Sequence, residues 1–437
     1  MAGERKPDRE AFSRGDDMAL AQPGLPERGF GAADSQAAAE QTSGWKTVFA
    51  CAAGLTFGPS VITVFGFGAF INPLDREFGW SVSSISLGAT IVAIMIMILA
   101  PLQGLLVDRF GGRRLVLWSI PAFGLSLCAM YFLPNNLLVF YLAWVVIPLC
   151  GLGIWPISYL RLTAGWFDKN LGLAFGVTNA GVGIGAVVVP LLTAFFISRY
   201  GWREAFVCLG VVALLVWPIA YLFLKESGRQ ASPMNMQGDT LSEAARTRPF
   251  WIAVASFFLL GIFSAGILVH HVRILIDAGI PPATATLLPA ALGASLVLAR
   301  LLTGWLLDRF PASWLMAIFL VGGAVAAGLY SRGPDLPLAI LSAALVGLVV
   351  GAEFDVLSYI IPRYHGRKSF GRIYGVIFAA FQFASAIAAF AVGYSRSQLG
   401  SYAPAMMALV GVCLVCALLF TQLGAYRFVA GERTATK

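Results

Sequence analysis

One heptapeptide pattern occurs twice in this chain, and the spacing between its copies limits the fold more than any other feature. Gly104-Leu-Leu-Val-Asp108-Arg109-Phe110 recurs as Gly304-Trp-Leu-Leu-Asp308-Arg309-Phe310, 200 residues later. A second match lies at nearly the same offset. Leu171-Gly172-Leu-Ala-Phe-Gly176-Val177 returns as Phe370-Gly371-Arg-Ile-Tyr-Gly375-Val376 after 199 residues, keeping both glycines and the valine. Two independent matches at one spacing imply a duplicated unit of about half the chain.

What that unit is made of follows from composition. Hydrophobic residues make up 58% of the chain and charged residues 12%, and the mean hydropathy is +0.79. A soluble domain does not carry such a balance. Crossing ~30 Å of hydrocarbon takes about 20 apolar residues, and twelve such runs begin near residues 45, 83, 114, 138, 170, 203, 250, 283, 312, 336, 369 and 402. The expected fold is therefore an all-α membrane protein, with twelve transmembrane helices in two six-helix bundles related by pseudo-two-fold symmetry.

The boundaries follow. Residues 1–44 mix charges with Pro, Gly and Ala and hold no apolar signal segment, so a disordered cytoplasmic tail is expected. Residues 45–224 form the first bundle, 225–249 a polar cytoplasmic linker, 250–425 the second bundle and 426–437 a short cytoplasmic tail. With the amino-terminal tail inside, most of the 30 Lys and Arg fall on the cytoplasmic side, which is the orientation that positive charge dictates in a bacterial-type inner membrane. The formal charge of +8 is thus topological. No basic stripe interleaved with aromatics suggests nucleic acid.

Six cysteines sit inside apolar runs; Cys413 and Cys416 alone have a C-x-x-C spacing, with no second pair and no histidine near them in sequence, so neither a disulfide framework nor a metal site is expected. No phosphate-binding loop and no nucleophile-base set is present, which argues against an enzyme and against any cofactor.

Extended to Gly111-Gly112-Arg113-Arg114, the first heptapeptide resembles the G-x-x-x-D-R-x-G-R-R loop of the major facilitator superfamily. The resemblance covers residues 45 to 425. It implies two bundles rocking about a central site, with Gly104, Asp108, Arg109, Arg113, Gly304, Asp308 and Arg309 as the conformational gate. Independently of the family, Asp108 ends a span where it can meet the N-terminus of a neighbouring helix, and Arg113 can pair with an acid or a helix C-terminus. Further segments resemble the monocarboxylate-porter branch and its bacterial relatives: Pro73-Leu-Asp-Arg-Glu-Phe-Gly-Trp80, Gly165-Trp166-Phe167, Gly351-Ala-Glu353-Phe-Asp355, and Arg363-Tyr-His-Gly-Arg367. Two departures stand out. Leu296 replaces an aspartate that animal carriers of that branch place four residues before the arginine of the eighth span, and Ile62 and Thr63 stand where their first span has a lysine. Proton coupling through that aspartate does not carry over.

Arg300 lies eight residues before Asp308, hence about 12 Å into the eighth span. A permanent cation at that depth costs at least ~2.5 kcal/mol on insertion scales and demands an anion. The guanidinium matches a carboxylate, and Arg300 also stands where the resembling family binds substrate. Asp355 lies at a similar depth in the tenth span, about 10 Å above Pro362. It shares a small, polar helix face with Gly351, Ser358 and Tyr359, whereas Glu353, about 200° away, faces Val349, Val350, Leu357 and Ile360. The expected substrate residues are Arg300, Asp355, Tyr359 and Thr63. Asp355, Glu353 and His270, the last at the outer mouth of the seventh span, are the expected proton carriers.

The function expected is a monomeric secondary transporter that moves a small organic anion, a monocarboxylate with a proton, by alternating access through the lipid. Two alternatives remain open: an organic-anion exchanger of the oxalate/formate type, and a membrane sensor that does not transport. Neither the tail nor the linker shows the heptads a signalling element would carry.

Overall fold

The computed structural model describes residues 30–227 and 237–428. Most of the expected amino-terminal tail, the middle of the linker and the last nine residues lie outside the described residues. Among the described residues the chain is helical throughout, apart from one isolated β-bridge between Gly238 and Gly366.

Among the described residues ten helices are long and apolar enough to cross a membrane alone, and a bent pair, Gln41–Ile62 with Phe67–Phe78 at 44°, makes eleven. The fourth apolar run supplies the twelfth as a broken span. Its first piece, Leu137–Cys150, rises only about 21 Å. A 3-10 turn, Leu152–Ile154, and a second helix, Pro156–Trp166, complete the crossing. The break lies where Trp155 precedes Pro156, which pushes Trp155 into extended backbone.

The other spans are Val82–Phe110, Gly112–Ala129, Leu171–Tyr200, Trp202–Phe223, Arg248–Leu268, Leu288–Leu307, Ala312–Ser331, Leu336–Tyr364, Phe370–Leu399 and Ala403–Thr421. The first helix differs from expectation. It begins at Phe30, inside the segment read as a disordered tail, and the sequence there is rich in alanine, the strongest helix former.

Side-chain caps fix several entries. Ser81 accepts from Ser84 N–H at the second span, Asn136 from Leu138 and Val139 N–H at the fourth, and Asp335 from Leu338 N–H at the tenth. The turn between spans two and three needs both of its glycines. Gly111 adopts φ 84°, and a Cβ on Gly112 would lie 2.8 Å from Ser158 O and from Leu162 Cγ, so the pair buys the tight turn and the close approach of the broken fourth span.

The two halves meet along a seam of glycines. A Cβ on Gly371 would lie 2.6 Å from Gly104 O, and one on Gly304 would lie 2.6 Å from Gly172 O. One turn further in, Gly176 faces Arg300 O and Gly375 faces Ala100 O. Lipid tails are as apolar as leucine, so helices associate here by backbone proximity and polar contacts rather than by exclusion from water. Both close approaches fall at the end of the molecule where the linker lies, called the linker end below.

Candidate functional site

Glycines also place the charged centre. In the tenth span, a Cβ on Gly347 would meet Leu292 O at 2.7 Å, and one on Gly351 would meet Leu296 O and Ala299 Cβ at 2.6 Å. The tenth span therefore lies flush against the eighth. Asp355, one turn after Gly351, comes beside Arg300, the residue after Ala299. Both are buried, with Arg300 5% and Asp355 0% exposed.

They do not form an ion pair. Arg300 has no ion-pair partner among the described residues, and its Nε and Nη1 are buried with no hydrogen-bond acceptor. Asp355 instead accepts a hydrogen bond on Oδ1 from Asn179 Nδ2 at 2.6 Å, across the seam from the fifth span. Its Oδ2 is buried without a partner. Glu353 turns the other way and accepts from Ser264 Oγ of the seventh span at 2.7 Å. The arrangement is a guanidinium with unused donors beside two carboxyl groups held by neutral donors, and it can take an anion and carry a proton.

The remaining expected site residues lie elsewhere. Thr63 is buried at the bend of the first span, and its hydroxyl donates to Pro59 O at 2.7 Å, within its own helix. Tyr359 lies one turn from Asp355 toward the linker end, its ring 5.0 Å from the Arg363 guanidinium and 6.2 Å from the Tyr426 ring. His270 sits at the far end, with Nε2 2.8 Å from Ala389 O and Nδ1 3.4 Å from Tyr402 Oη.

At the linker end the duplicated motifs meet crosswise. Asp108 accepts from Gly371 N–H at 3.0 Å and Arg372 N–H at 2.9 Å, capping the eleventh span. Asp308 accepts from Gly172 N–H at 2.8 Å and Leu173 N–H at 2.9 Å, capping the fifth. Each motif aspartate thus holds the first turn of a helix in the other half, where the helix dipole and free N–H groups favour an anion. Gly104 and Gly304 are the glycines of the seam.

The three arginines expected at the gate do not cross it. Arg109 lies over its neighbour Phe110, and Arg309 donates to Trp305 O at 3.0 Å in its own helix. Arg113 donates to Leu224 O at 2.7 Å and Tyr221 O at 3.1 Å, pinning the C-terminus of the sixth span within the first half.

Sequence reasoning missed several partners. Arg161, buried in the second piece of the fourth span, forms an ion pair with Asp108. Arg367 donates to Asp168 Oδ1 and to Phe167 O, each at 2.7 Å, and Arg363 donates to Asp168 O at 3.2 Å. Asn179 and Ser264 of the central site were missed as well, each a lone small polar residue inside an apolar run.

A family model described as Major Facilitator Superfamily matches residues 53–275 and 273–430. A protein of Thermoproteus tenax, described as an uncharacterized 38 kDa protein in the 23S RNA operon, is 28% identical over 81% of this chain and 90% of its own length. Monocarboxylate transporter 11 of Mus musculus is 24% identical over 83% of this chain and 84% of its own. Among solved structures, the proton:xylose symporter XylE bound to 6-bromo-6-deoxy-D-glucose superposes with a TM-score of 0.71 at 14% identity, covering 89% of this chain and 97% of that one.

Proposed function

The chain belongs to the major facilitator superfamily, and on that premise we propose that it is a proton-coupled carrier of a small organic anion, a monocarboxylate, working by alternating access. The observation that carries the reading is Arg300: a buried guanidinium, well inside a span, with two nitrogens that no group among the described residues satisfies. Leaving a buried donor unpaired costs about 1–3 kcal/mol, more for a charged group. An arginine kept only for structure would have its acceptors built in. A carboxylate ligand supplies them, and it offsets the cost of a cation in the membrane only while it is bound. The name of the mouse relative, a monocarboxylate transporter, points to the same ligand class.

Asp355 is the proton carrier of this reading, since it shares the buried site and keeps one oxygen free. The linker end faces the cytoplasm, with both termini there, and the protein acts as a monomer in a bacterial-type inner membrane. The two halves, 45–224 and 250–425, rock about Arg300. With the seam shut at the linker end, this structure is the state closed to the cytoplasm, and opening it breaks the caps of Asp108 and Asp308.

The test is uptake of labelled lactate, pyruvate, acetate and formate by proteoliposomes, with and without an inward proton gradient. Uptake that follows the gradient and is lost in Arg300→Gln supports the reading. Uptake of the same acids by Arg300→Gln at the native rate overturns it. Uptake that needs an anion inside and ignores the gradient assigns the exchanger instead.

A further inference from the structure

Two opposite charges lie side by side at the centre of this molecule and are not paired. We propose that Asn179 is a positioning residue that holds the Asp355 carboxylate off Arg300, and so keeps the guanidinium free for a substrate carboxylate. The proposal rests on the anion-site reading of Arg300 and adds to it the residue of the first half that keeps that site open.

In a buried site a carboxylate next to a guanidinium gains most by bonding to it, because water does not screen the attraction. Asp355 is fully buried and comes from the span packed flush against the eighth, so the way to Arg300 is short. Its Oδ1 is taken at 2.6 Å by the Asn179 amide, which approaches from the opposite half. That approach depends on the seam. Gly176, one turn before Asn179, packs onto the Arg300 backbone with no room for a side chain, so the fifth span reaches over the site. Glu353 is kept away by a second neutral donor, Ser264 at 2.7 Å. Both acids near Arg300 are thus bonded to uncharged partners, and Arg300 is the group left with open donors. Its orphaned nitrogens are a consequence of where Asn179 and Ser264 put the acids.

Without the amide, Asp355 swings to Arg300 and competes with substrate as an internal carboxylate. In Asn179→Ala the KM for the acid that shows Arg300-dependent uptake rises about tenfold, the scale of one charge-assisted hydrogen bond, while the maximal rate changes much less. Equilibrium exchange of labelled acid is the assay, because it needs no net proton movement and remains readable in Asp355→Asn. Adding Asp355→Asn to Asn179→Ala removes the competing charge and returns the KM to that of Asp355→Asn alone. A merely structural role for Asn179 would give the same factor in both backgrounds.

A native KM in Asn179→Ala, or a rise that persists undiminished in the Asp355→Asn background, overturns the proposal. Asn179→Ser, which keeps a donor of smaller reach, guards against loss of folding: a KM between native and Asn179→Ala is expected, and a KM equal to that of Asn179→Ala counts against it. If Arg300→Gln exchanges the acids as the native protein does, the anion-site reading has failed and this inference falls with it. If Arg300→Gln is inactive and Asn179→Ala is native-like, the inference alone has failed.

Discussion

Asp168 and Arg367 occupy equivalent positions of the two repeats, 199 residues apart, and they bond to each other, Arg367 Nη2 to Asp168 Oδ1 at 2.7 Å. Two positions exchanged by a two-fold axis can touch only near that axis. The pair therefore marks the pseudo-dyad at the linker end, and the duplication has since given its members opposite charges. The Arg367 side chain is 24% and the Asp168 side chain 45% exposed, so the pair contributes at most about 1 kcal/mol to closure. Asp168→Asn is expected to raise the labelling rate of a cysteine placed in the seam severalfold at most. Exchanging the charges, with Asp168→Arg and Arg367→Asp together, should return it toward the native rate.

The two motif aspartates look alike in sequence and differ in cost. Asp108 carries the buried Arg161 in addition to its helix cap, whereas Asp308 has no ion-pair partner among the described residues. Asp108→Asn removes the acidic member of a buried ion pair, a loss of about 3–5 kcal/mol. Asp308→Asn weakens a cap, a loss of about 0.5–2 kcal/mol. Thermal unfolding in detergent should rank the variants in that order, and Asp108→Asn with Arg161→Met should recover part of the difference. Equal melting temperatures would contradict the account.

Gly104→Ala puts a methyl group against the Gly371 carbonyl in the closed seam. Each half keeps its own packing, so the variant is expected to fold, stay open at the linker end and lose transport by more than about tenfold, since a closed state destabilised by 1.4 kcal/mol is already ten times rarer. Labelling of a seam cysteine, fast and unaffected by substrate, would show it. Slow labelling would mean that the helices separate enough to admit the methyl.

Tyr359→Phe separates the central site from the gate. The ring lies over Arg363 rather than at Arg300, and phenylalanine keeps that stacking. Its KM for the transported acid is expected to stay native, and a rise of tenfold would return Tyr359 to the substrate site.

The linker end has a pH response of its own. His365 is buried against the Phe250 ring, with Asp239 at 3.2 Å, and Arg427 shares the same carboxylate. Burial lowers the imidazole pKa below the usual 6.5, and Asp239 opposes this without cancelling it. The folded state then binds a proton less readily than the unfolded one. The stabilisation is complete above 6.5 and declines as pH falls below it. Exchange at the Asp239 and Arg367 amides, which donate to His365 O and Gln237 O on either side of the bridge, should quicken relative to the intrinsic rate at about pH 5.5. The excess should disappear in His365→Gln.

The helices and their pairing could be read from residue order because both signals are local: an apolar run has a length, and a repeated motif has a spacing. The gate could be read halfway. Asp108 at a helix end invites a helix N-terminus, but which helix depends on how the halves cross, and that information lies in glycines such as Gly371 and Gly172 that only packing interprets. At the centre, Arg300 and Asp355 were visible as charges in apolar sequence. Asn179 was not, since one amide in a thirty-residue apolar helix has no periodic signal. Tyr359 shows the limit of a helical wheel, which gives a face and leaves depth to the tilt of the neighbours. Arg161 lies so close to the end of its span that it reads as an anchoring charge, and only the break at Trp155 reveals that the piece carrying it is buried.

The crosswise caps have a further consequence. Because Asp108 completes a helix of the second half and Asp308 a helix of the first, neither half is finished by itself at the linker end. A shortened chain ending before residue 250 would expose the first turn of the fifth span, and its twin would do the same at the eleventh. The two copies left by duplication have become each other's missing ends, which gives selection a reason to keep them on one chain while the charged centre was free to grow lopsided in the second half alone.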